Sequence, residues 1–150
     1  MELTENILWH LKQAFYFSLT SVNDAVSSHG VSTAQIGVLR QLANEPGLSG
    51  AELARRLLIS PQGVQLALKA LEQRGLVQRK PHPQHARILQ VFLTDQGRDV
   101  AAAVVSDAVA AHDAVFGVLT PEEQETLRTL LARVVEQGTG HTLHSDTVES

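Results

Sequence analysis

Apolar residues in the first part of the chain fall at helical spacing. Leu8, Leu11, Phe15, Leu19 and Val22 line one stripe, which predicts a long amphipathic helix over residues 4–28. Thr4 is placed to cap its start, and Gly30 suits the left-handed residue just past its end. Ser32-Thr33-Ala34-Gln35 reads as a capping box opening a second helix, with Ile36, Leu39 and Leu42 inward and Pro46-Gly47 breaking the chain. A second box, Ser49-Gly50-Ala51-Glu52, opens a short helix through Leu57. Ser60 followed by Pro61 reads as an N-cap and a first-turn proline, starting a helix that runs to Arg74 and stops at Gly75. Short helix, turn at Leu58-Ile59 and longer helix make a helix-turn-helix pattern.

The period then changes. Leu76-Val77-Gln78-Arg79 and Ile88-Leu89-Gln90-Val91-Phe92-Leu93 are rich in strand formers, and residues 80–87 between them carry Pro81 and Pro83. This predicts a β-hairpin with a long basic loop, a wing. Thr94 caps a long helix with an inward stripe at Val100, Val104, Ala108 and Val115. Thr120-Pro121-Glu122-Glu123 starts a last helix, with Leu127, Leu130, Leu131 and Val134 on one face and an end at Gly138; a loose tail is expected over 139–150. The fold class expected is mainly α, a six-helix winged helix-turn-helix with a small β-hairpin.

The length of 150 residues suits one ordinary domain, and 43% hydrophobic with 19% charged residues is enough to bury a core. No apolar run reaches the ~18–20 residues that span a bilayer. The start, Met1-Glu2-Leu3-Thr4-Glu5, lacks the basic opening of a signal peptide, so a cytoplasmic protein without a membrane partner is expected. With no cysteine, a disulfide scaffold, a thiol switch and a cysteine metal site are excluded. Glycine-rich phosphate loops, Gly-x-Ser-x-Gly and His-Glu-x-x-His are missing from the sequence, so an enzyme is not expected.

The net charge of −4 hides an asymmetry. From Glu52 to Phe92 there are seven bases (Arg55, Arg56, Lys69, Arg74, Arg79, Lys80, Arg87) against two acids, Glu52 and Glu72, giving +5; the rest of the chain, five bases against 14 acids, gives −9. A basic middle is a footprint for phosphate or simply solvated surface, and the motifs within it decide for phosphate. On the Pro61–Arg74 helix, Val64, Ala67, Leu68 and Leu71 fall on one side, and Gln62, Gln65, Leu66, Lys69 and Gln73 on the other or its flanks. Glutamines pair with base edges, notably adenine, and lysine reaches a phosphate or a guanine. Leu66 either meets a thymine methyl or packs on a neighbour. Arg87 near the wing tip is suited to a narrow minor groove. The same loop holds Lys80 and His85, with Arg79 just before it, all placed to meet phosphate; Ser49, Ser60 and Pro61 open helices whose N-termini suit phosphate as well.

In this order and spacing, four stretches resemble the MarR family of bacterial transcription regulators. They are Leu48 to Leu57, Ile59 to Val64, Leu71 to Val77, and Leu93-Thr94-Asp95-Gln96-Gly97-Arg98, within a resemblance covering about residues 5–137. The wing resembles a branch reading His-Pro-x-His-x-Arg, here His82 to Arg87. The family usually has an acid where His85 stands, which buttresses the wing arginine and is missing here although Arg87 is kept; it often has an arginine where Leu66 stands, so the resemblance implies a different operator. It also implies a homodimer in which residues 1–30 and 120–138 are dimerisation helices, 31–94 the DNA-binding lobe and 95–117 a linking helix. The implied activity is regulation of transcription, as a repressor on a pseudo-palindromic operator of double-stranded DNA. Independently, the apolar stripes of the first and last helices need a partner surface.

The family also implies small aromatic or phenolic effectors where the dimerisation helices meet the winged lobe. Trp9, Phe15, Tyr16 and Phe17 are four of six aromatics in the chain. They are core and dimer packing or a pocket wall, in which His10, Tyr16 and Phe17 would contact the effector. No cofactor is expected. His82-x-x-His85 and His141-x-x-His144 are incomplete as metal sites, having no cysteine or suitably spaced acid, and no metal is expected. The competing reading is a winged helix used for protein interaction, which would have no need of the basic inventory.

Overall fold

Side-chain caps begin most of the helices. The computed structural model describes Glu2 and residues 6–145, with side chains as far as Gly138. Helix α1 is Ile7–Val26 and is capped by Asn6, whose side chain accepts from the Leu8 N–H; the expected cap, Thr4, lies outside the described residues. A 3₁₀ turn, Ser27–His29, follows and ends at Gly30 with φ 66°, the left-handed residue expected there. Helix α2 is Thr33–Asn44, with the Ser32–Gln35 capping box formed. Helix α3, Gly50–Leu57, and helix α4, Pro61–Gln73, carry the expected caps Ser49 and Ser60. Gly75, at φ 70°, stops α4. The turn between α3 and α4 passes through Leu58 at φ 54°, the one left-handed residue other than glycine among those described.

The wing is larger than a hairpin. Strand β1, Leu48–Ser49, joins β2, Val77–Pro81, and β3, Leu89–Leu93, in an antiparallel sheet of order β1-β3-β2. Leu48 faces Val91 and Ser49 faces Gln90, while Val77 to Pro81 face Leu93 to Leu89. A strand of two residues is too short to show a period of two, so the sequence pattern missed β1. Pro81 is tolerated because β2 lies at the sheet edge.

The chain divides into two compact units, residues 1–112 and 113–150. In the first, Val26, Val38, Leu39, Leu42, Leu53, Val64, Leu68, Leu71, Leu76 and Val91 form one buried cluster that Val104 of helix α5, Asp95–Phe116, completes. The inward faces read from α2 and α4 are therefore the observed ones, and Thr94 caps α5 by accepting from the Gly97 N–H at 3.0 Å. Of the α1 stripe, Leu11, Leu19 and Val22 are half-buried and Leu8 and Phe15 exposed; the one buried residue of the helix is Val26, one turn beyond it. In the second unit, helix α6 is Pro121–Ser145 and opens with the Thr120–Glu123 capping box. It does not stop at Gly138: the helix continues seven residues further, so the loose tail expected from 139 is corrected as far as Ser145. One glycine does not outweigh the helical propensity of its neighbours. Residues 146–150 lie outside those described.

Candidate nucleic-acid interface

Burial of Val64, Ala67, Leu68 and Leu71 fixes the roll of α4 and turns the opposite face outward. Pro61, Gln62, Gln65, Leu66 and Lys69 together line a shallow open surface groove. Leu66 does not pack on a neighbour: it is 71% exposed at the middle of that face. Ser60 sits at the entrance, where its hydroxyl oxygen accepts from the Gly63 N–H at 3.0 Å.

Between α4, the start of α3 and the wing lies a cleft of about 650 Å³ whose lining includes Ser49, Arg55, Gln65, Arg79, His82 and Arg87. Ser49 is engaged as a cap, accepting from the Glu52 N–H at 3.2 Å, while its own N–H donates to the Glu52 carboxylate at 2.8 Å. That backbone N–H is the chief reason the Glu52 pKa lies below its ordinary value; the Ser49 hydroxyl, Arg55 and Arg56 act in the same direction and partial burial opposes them.

The bases divide into two groups. Arg79 is turned inward: its Nε and Nη2 donate to the Glu72 carboxylate at 2.9 and 3.1 Å and its Nη1 donates to Gln65 Oε1 at 2.8 Å, leaving the side chain 21% exposed. The phosphate contact expected of Arg79 is thus replaced, in the free protein, by a buttress against α4. Sequence reading missed this because Glu72 and Arg79 belong to different elements that only the α4–β2 turn brings together. Arg56 pairs with Glu45 at 2.6 Å, and Arg74 bonds backbone carbonyls. Arg55, Lys69, Lys80 and Arg87 are exposed and make no salt bridge among the described residues. Lys80 Nζ stands 5.4 Å from the centre of the Phe92 ring.

The wing tip is ordered by histidine. His82 Nδ1 accepts from the N–H groups of Gln84 and His85 at 3.0 and 3.2 Å, and the His82 and His85 rings lie 5.2 Å apart. His82 N–H donates to Ile88 O, and Ile88 N–H donates to His85 O, both at 2.8 Å, which closes the loop that contains Arg87. Of the residues expected around an effector, His10 donates from Nδ1 to Asn6 O at 3.0 Å, and Tyr16 and Phe17 are exposed on α1. None of the three lines the interface cleft or the smaller apolar cleft of about 340 Å³ between α2, β3 and α5.

A helix pair with one buried and one polar face, flanked by a sheet bearing unpaired cations, defines a winged helix of the nucleic-acid-binding class. A family model described as "MarR family" matches residues 29–88. The chain is 34% identical over 113 residues to the HTH-type transcriptional repressor Rv2887 of Mycobacterium tuberculosis, covering 75% of this chain and 81% of that one. Among solved structures, the transcriptional repressor CouR bound to a 23-mer DNA duplex superposes with a TM-score of 0.82 at 30% identity, over 89% of this chain and 95% of that one. Rv2887 in complex with salicylic acid superposes with a TM-score of 0.70 at 30% identity, over 86% and 96% of the two chains. The chain belongs to the MarR family.

Proposed function

We propose that the protein is a transcriptional regulator that binds a pseudo-palindromic operator as a homodimer, represses from it and is released by a small aromatic effector. The observation that carries the reading is an outward, acid-poor α4 face whose groove includes Lys69, beside a cleft lined by the exposed cations Arg55 and Arg87, with Lys80 exposed on β2. Helix α4 enters the major groove, where Gln62, Gln65 and Leu66 meet base edges, and the His82-Pro83-Gln84-His85-Ala86-Arg87 wing approaches the minor groove. Two-fold symmetry sets the two α4 helices about one DNA turn apart, roughly 34–36 Å.

Dimerisation through residues 1–30 and 120–138, with 95–117 as the link, is supported by apolar side chains left at the surface: Ile7, Leu8 and Phe15 on α1, Leu130 and Val134 on α6. The effector reading rests on the salicylic acid bound by Rv2887, and His10, Tyr16 and Phe17 are proposed as its contacts once a second copy covers α1. The role is binding rather than catalysis, carried out in the cytoplasm where the operator is.

Footprinting of genomic DNA with the purified protein tests this. Protected, two-fold-related half-sites near its own coding region are expected, and salicylate should weaken the protection. Binding neither to DNA nor to heparin would favour a protein-interaction module and defeat the proposal.

A further inference from the structure

Gln65 is held by Arg79, which is itself held by Glu72. Glu72, in the last turn of α4, grips Arg79 of β2 with both carboxylate oxygens, at 2.9 and 3.1 Å. The third guanidinium nitrogen, Nη1, stands 2.8 Å from Gln65 Oε1. A guanidinium offers donors only, so the amide atom that faces it is the oxygen. The amide nitrogen is thereby turned toward the first residue of α3, where glycine leaves it room: a Cβ at Gly50 would stand 2.8 Å from Gln65 Nε2. Neither N–H of that nitrogen is taken by a protein acceptor among the described residues, and the side chain is exposed beside the α4 groove.

We infer that Glu72 and Arg79 are positioning residues that make Gln65 read the major groove through its amide NH₂, selecting guanine over adenine. Glutamine pairs with adenine through both halves of its amide, the oxygen accepting from N6 and the nitrogen donating to N7. Here the oxygen already holds a charge-assisted bond, roughly twice as strong as a neutral one. That oxygen keeps a second lone pair, but Arg79 fixes it on the β2 side, so the amide group left without a protein partner among the described residues is the NH₂. Guanine presents two acceptors to it, O6 and N7, whereas adenine sets its own donor beside a single acceptor. The inference rests on the DNA-binding reading and reverses the adenine preference that the sequence alone suggests for a glutamine.

The test is selection from randomised duplexes by the full-length wild type and by Gln65→Ala, Arg79→Met and Glu72→Gln, each checked for folding by its thermal melt. Gln65→Ala should flatten one operator position, and in the wild type that position should favour a G·C pair over A·T by about five-fold or more. Arg79→Met and Glu72→Gln should move the same position toward A·T and leave the others in place. If Arg79→Met fails to fold, Glu72→Gln, which keeps the shape of the side chain, decides. An A·T preference at that position in the wild type overturns the inference, as does a preference unchanged in the folded variants. A wild type that enriches no sequence at all defeats the DNA-binding reading itself, a result distinct from enrichment with the wrong base.

Discussion

Arg74 Nη1 donates to the carbonyl oxygen of Gly30 at 3.1 Å, joining the C-terminal cap of α4 to the end of the 3₁₀ turn that follows α1. Its Nη2 makes a parallel bond to His29 O, also at 3.1 Å, and His29 Nε2 lies 2.7 Å from Asp107 Oδ2 on α5. Three helices are thus tied at one point. Arg74→Ala should destabilise the fold by about 1–2 kcal/mol, less than for buried charged bonds because the side chain is exposed. Urea unfolding measures the loss, and faster amide exchange across residues 27–30 should accompany it.

The division of bases into committed and uncommitted groups predicts different salt effects. Each neutralised phosphate contributes a slope near −0.9 to log K against log salt. Lys69→Ala and Arg87→Ala should each reduce the slope by about 1. Arg79→Met, whose guanidinium faces Glu72, should leave the slope nearly unchanged. Titrations at four salt concentrations distinguish the three variants.

Gly97 permits a close passage of backbone. A Cβ there would lie 1.9 Å from Leu76 O, a main-chain atom that cannot turn aside and that also accepts from the Thr94 N–H at 3.0 Å. Gly97→Ala should therefore cost about 3 kcal/mol or more through overpacking, despite alanine's higher helix propensity. A melting temperature equal to that of the wild type would contradict this contact.

The α3 cap gives a pH signature. The Ser49 N–H holds the Glu52 pKa below its ordinary value in the folded chain. Its stabilising contribution is therefore complete above the unfolded carboxyl's pKa, roughly 4.3, and is lost as pH falls through the lower folded value. Glu52→Gln should lower stability at neutral pH and show a shallower decline between about pH 5 and pH 3. Denaturation midpoints across that range provide the comparison.

Phe15 offers a clean probe of assembly, being 68% exposed on α1. Phe15→Glu should leave the thermal melt of the single chain cooperative while shifting sedimentation from dimer to monomer. Truncation from Thr120 onward should abolish the dimer and specific DNA binding together.

Much of this architecture is legible in the sequence because caps are local. Ser32, Ser49, Ser60, Thr94 and Thr120 each bond a backbone N–H three residues ahead, so a four-residue window suffices to find them. The inward face of α4 follows from periodicity for the same reason. What could not be read depends on distant residues meeting. The Glu72–Arg79–Gln65 clamp spans a turn, β1 exists only because β3 lies beside it, and the apolar stripe of α1 is exposed or half-buried according to what packs there.

The short strand β1 has a mechanical consequence. Ser49 pairs with Gln90 of β3 and also caps α3, while Gly47 N–H donates to Val91 O at 2.9 Å and Gln90 Nε2 returns a bond to Gly47 O at 3.2 Å. The hairpin is therefore no free cantilever: its inner strand is riveted to the residue from which the helix-turn-helix starts. The helix-turn-helix and the hairpin are thereby fastened as one plate, so their spacing is set before any groove is met and the two engagements share a single loss of orientational freedom.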